Sequence, residues 1–81
     1  MNMKKETKEK IYNLVHDFDN EDRIAMGLVA FLETEENGQK MIQWLETSDK
    51  SIWTENSILR EMDKIRGFKM PDHILKELGE I

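Results

Sequence analysis

The sequence predicts an all-α protein, a compact bundle of about five short helices forming one domain over residues 1–81. Three observations carry that prediction. Apolar residues recur at helical spacing along the chain, no segment alternates with period two over a strand length, and the breaks between apolar runs hold capping residue types.

Ile11, Leu14, Val15 and Phe18 stand at i, i+3, i+4 and i+7 and define the apolar face of a first helix, bordered by Tyr12. Residues 1–7 are mostly polar and are expected to fray. The run "DFDN" interrupts the pattern. Asp19 or Asn20 can cap a second helix, with Glu21 and Asp22 in its first turn facing the positive end of the helix dipole. That helix holds "RIAMGLVAFL", with Ile24, Leu28, Phe31 and Leu32 on one face and apolar residues nearly all round, so it should be central. Gly27 in its middle predicts close approach by a neighbouring helix.

Continuing this helix through Glu33, Glu35 and Glu36 would crowd carboxylates at its negative end. A new start at Thr34 or Asn37 avoids that. Met41, Ile42 and Leu45 then face inward from a third helix, with Trp44 beside them, and "TSDKS" is a polar joint. Thr54 is placed to cap a fourth helix, which puts Trp53 and Ile58 in the two positions of a hydrophobic staple. Ile58, Leu59, Met62 and Ile65 form its stripe, and Gly67 after Arg66 suits a left-handed C-terminal cap followed by Phe68. Pro71 fits the first turn of a fifth helix carrying Ile74, Leu75 and Leu78, and Met70 beside it is expected to be exposed.

So short a chain buries about 60–65% of its unfolded surface, and with no cysteine it has no disulfide to add. The longest apolar run, Ile24 to Leu32, rises about 14 Å as a helix against the roughly 30 Å of a bilayer core. The basic start "MNMKKETKEK" is not followed by an apolar signal region. The expectation is a soluble, cytoplasmic protein.

Charge narrows the function. The net charge is -5, and residues 19–53 alone hold three basic against eight acidic groups. Nucleic-acid binders usually show the opposite balance. The corner "RGFK" before "MPDHIL" has the shape of a helix-turn-helix joint, but Pro71, Asp72 and His73 would face the bases, with Lys76 the only cation on that helix. In "HDFDNED", Asp17, Asp19 and Glu21 could take the first calcium-loop positions. Asp22 then replaces the required glycine and Leu28 the required glutamate. His16 and His73 share no zinc motif, and no nucleophile elbow, phosphate loop or dinucleotide fingerprint occurs. No catalytic, metal or cofactor residue is expected.

What remains is a small acidic helical protein that binds and modulates another protein, as an inhibitor, adaptor or immunity or anti-defence factor of bacteria or phage would. The acidic middle third suits a basic, nucleic-acid-handling protein partner. The candidate contact residues are Asp19, Glu21, Glu33, Glu35, Glu36 and Trp44. The alternatives are a DNA-binding regulator using residues 54–78 and a structural homodimer.

Overall fold

A computed structural model describes residues 1–67, 72–77 and 79. The helices are α1 (Lys5–His16), α2 (Arg23–Leu32), α3 (Glu35–Thr47), α4 (Glu55–Ile65) and the short α5 (Asp72–Glu77), with one 3-10 turn at Lys50–Ile52. The all-α bundle is as expected, but among the described residues four helices, α1 to α4, build its packed body rather than five. α1 packs on α2 and α3, and α4 closes the bundle against α2 and α3. α5 has six residues, and none of its described side chains belongs to the buried core. Phe68, Met70, Pro71, the side chains of Leu75 and Leu78, and most of the predicted helix-turn-helix corner lie outside the described residues.

The core is built from the predicted stripes. Ile11, Val15, Leu28, Leu32, Met41, Leu45 and Ile58 are fully enclosed, and each contributes about 1.5–3 kcal/mol through removal of its side chain from water. Two predicted core aromatics lie elsewhere. Phe18 is 42% exposed because α1 ends at His16, so helical periodicity no longer applies two residues later. Phe31 is 55% exposed because it borders the buried stripe of α2, which runs Ile24, Ala25, Leu28, Leu32, on the side of Ile24, and its ring lies under the Arg66 guanidinium, 5.4 Å from the centroid.

The N-terminus is docked rather than frayed. Asn2 bridges Thr34, the Met3 N–H donates to the Glu33 carbonyl at 3.1 Å, and the Glu35 N–H donates to the Met1 carbonyl at 3.0 Å. Met3 is buried. The close approach predicted at Gly27 occurs at Gly38 instead. A Cβ at Gly27 would meet nothing within 4 Å, whereas one at Gly38 would lie 2.8 Å from Thr7 Cγ2 and 3.1 Å from Met3 Sδ. The small residue in the first turns of α3 is what lets α1 and the leading segment approach.

The predicted helix starts and stops are largely realised. Thr34 caps α3 by accepting the Asn37 N–H at 3.2 Å. Glu33, with φ of 64°, breaks the chain away from α2. Thr54 and Ser57 form a reciprocal capping box on α4. Gly67 takes φ of 78° one residue after the Arg66 cap. α2 begins later than expected, at Arg23, with Asp22 in the left-handed region before it. The Asp19 carboxylate nevertheless performs the capping role, accepting the Ile24 N–H at 2.9 Å.

Candidate protein-docking surface

The joint between α1 and α2 gathers two of the predicted contact residues. Phe18, Asp19, Asn20, Glu21, Arg23, Ile24 and Glu55 line an open groove of about 430 Å³. Its aromatic wall belongs to a row of three rings. Phe18 meets Trp53 edge to face with centroids 6.0 Å apart, and Trp53 stacks on Trp44 at 6.3 Å with 16° between planes. Such geometries are favoured by the ring quadrupoles. Trp53 is buried, in the staple position expected for it, and its indole N–H donates to Ser48 Oγ at 2.7 Å. The row therefore has a fixed centre and an exposed end at Phe18.

Carboxylates surround that end. Asp19 accepts from the backbone N–H groups of Ile24 and Glu21, which lowers its pKa and keeps it ionised well into acid. Glu21 is exposed and lies 3.4 Å from Arg23. Behind the groove, His16 Nδ1 and Asp22 Oδ1 are 3.1 Å apart, and this hydrogen bond raises the histidine pKa above its usual value. The acidic character at Asp19, Glu21 and Glu55 is offset only by Arg23 among the lining residues.

The other predicted contact residues are not gathered here. Glu33 stands at the end of α2, in a second groove with Phe31, Thr34, Asn37 and Arg66. Glu36 is exposed, 3.3 Å from Lys40, and lines a third groove with Lys10 and Glu46. Glu35 is an internal clasp. Its carboxylate accepts from the Gln39 side chain at 2.9 Å, the Lys4 N–H at 2.9 Å and the Thr7 hydroxyl at 2.8 Å, and these bonds hold its pKa at about 2. Trp44 is half-buried and reaches the first groove only through Trp53.

Phe18 and Glu55 are the residues that sequence reasoning did not place at this surface. Phe18 extends the spacing of the α1 stripe, which assigns it to the core, and Glu55 lies more than thirty residues away in sequence. Only the interruption at "DFDN" signals that Phe18 belongs to a joint.

On α4, Lys64 lies 4.0 Å from Glu61 and the Arg66 Nε donates to Asp63 at 3.0 Å, so both cations sit beside carboxylates of their own helix. Among the described residues, no helix is long and apolar enough to cross a membrane, and no three His, Asp or Glu side chains converge as a metal-holding set. No family model, curated protein or solved structure matches the chain.

Proposed function

We propose that this chain is a non-catalytic protein that docks on and modulates another protein, with the Phe18 groove as its contact surface. The observation that carries the reading is an exposed aromatic, backed by two further rings and rimmed by Asp19, Glu21 and Glu55. An aromatic held by packing loses little freedom on binding, and surrounding carboxylates steer a basic partner toward it. A basic, nucleic-acid-handling protein is the partner class that this charge favours, which suits an inhibitor, adaptor or immunity-type factor.

Site-specific photo-crosslinking tests the reading. A benzoylphenylalanine at position 18 should trap a discrete partner from bacterial lysate, and the exposed position 13 should not. Combining the probe with Glu21→Lys and Glu55→Lys should abolish trapping. Equal trapping from both positions, unaffected by charge reversal, would overturn the assignment.

A second reading, self-association, draws support from a different surface. Met26 and Phe31 on α2 are 58% and 55% exposed, Met26 on the side away from the core and Phe31 at the edge of the buried stripe under the Arg66 guanidinium. Large apolar side chains exposed on one helix favour a protein contact.

A further inference from the structure

Asn37 and Gly38 form the dipeptide that most readily loses a side-chain amide in water. The backbone nitrogen that follows an asparagine can attack Cγ of its side chain. Ammonia leaves and a five-membered succinimide closes. Water then adds to one of the two ring carbonyls. Opening at Cγ gives aspartate, and opening at the main-chain carbonyl gives isoaspartate. Water is the only co-reactant. Glycine in the second position speeds the attack, because no Cβ crowds the nitrogen.

The fold requires this pair and shields it. Gly38 is buried, and a Cβ there would lie 2.8 Å from Thr7 Cγ2, so the packing of α1 on α3 demands the glycine. The Gly38 N–H donates to the Thr34 carbonyl at 2.9 Å, within the first turn of α3. Asn37 Nδ2 donates to the Leu32 carbonyl at 3.0 Å, and the Asn37 N–H donates to Thr34 Oγ1 at 3.2 Å. Attack needs the Gly38 nitrogen deprotonated and turned onto Cγ of Asn37. These bonds hold the proton, the nitrogen and the side chain in other positions.

Helix ends open at far lower cost than the whole fold. Opening the first turn of α3 frees the Gly38 nitrogen and the Asn37 amide together. Either product lacks the amide that bonded the Leu32 carbonyl. Isoaspartate also adds one carbon to the main chain, so the Thr34 bond and the fit of Gly38 against Thr7 and Met3 are lost. We propose that Asn37 is a deamidation site gated by the first turn of α3. The closed turn preserves the amide, and the open turn commits the chain to a product that recloses less well.

Peptide mapping by mass spectrometry tests this on the full chain, incubated at mildly alkaline pH with and without denaturing urea. In urea, Asn37 should convert faster than Asn2, Asn13, Asn20 and Asn56. In the folded chain it should convert about tenfold or more slowly than in urea, at a rate set by the open fraction of the turn. Thr34→Ala removes the cap of α3 and should speed folded-state conversion about fivefold. Thr54→Ala removes the equivalent cap of α4 and should change it by less than about twofold. Conversion of Asn37 in urea no faster than at the other asparagines overturns the site. Equal rates with and without urea overturn the shielding, and equal acceleration by the two cap variants overturns the gate at α3.

Discussion

The Thr7 hydroxyl donates to Glu35 Oε2 at 2.8 Å, joining the first turn of α1 to the first turn of α3 across 28 positions of sequence. Around that bond the Lys4 N–H and the Gln39 amide converge on the same carboxylate. Because these donors favour the charged form, the folded-state pKa of about 2 lies below the ordinary 4.5. The resulting stabilisation is complete above pH 4.5 and is lost as pH falls toward 2. Glu35→Gln should remove this share of the acid sensitivity and lower the neutral-pH melting midpoint, measured by circular dichroism from pH 2 to 7.

The two helical glycines should respond in opposite directions. Gly38→Ala drives a methyl into Thr7 Cγ2, which is buried and held by its own hydroxyl bond, and should cost about 1–3 kcal/mol. Gly27→Ala meets no atom within 4 Å and should stabilise the dilute chain by about 0.5–1 kcal/mol. Urea melts of the two variants decide, and a destabilised Gly27→Ala chain would show that this face is covered.

Removing the Met3 side chain should cost about 2 kcal/mol or more, as for other large-to-small changes in cores. The same substitution at Met1, which is 91% exposed, should change little. Thermal melts of Met3→Ala and Met1→Ala compare them directly. Equal midpoints would mean that the first residues are undocked.

At the ends of α4, Thr54→Ala should cost about 1 kcal/mol by leaving the Ser57 N–H without its cap. Gly67→Ala should cost a similar amount, about 1 kcal/mol, because φ of 78° burdens a side chain with a Cβ. The two sites lie at opposite ends of the helix and share no partner, so a double variant should show additive losses in a denaturant melt.

Much of this architecture could be read from local chemistry. Thr34, Thr54 and Gly67 act through neighbours within a few residues, so their roles are visible in the chain itself. The apolar stripes on α1, α3 and α4 likewise repeat with the helix. The misreadings involve long-range placement. Nothing near Gly38 announces that Thr7 and Met3 will pack over it, and nothing near Glu35 announces the Lys4 N–H as its partner. Glu35 therefore resembles a free surface acid in sequence and is a structural clasp in the fold. Asp19 and Glu21 were readable as exposed acids, but their aromatic companion Phe18 was hidden by a spacing that outlasts the helix by two residues.

Binding kinetics against a partner trapped from position 18 test the docking surface most directly. Surface plasmon resonance should compare the wild-type chain with Phe18→Ala and with the Glu21→Lys, Glu55→Lys pair. Loss of the aromatic anchor should raise the off-rate about tenfold or more with little change in on-rate. Charge reversal should slow association at low salt, and the difference should shrink as ionic strength approaches about 1 M. Indistinguishable on- and off-rates for all three chains would contradict docking through the Phe18 groove.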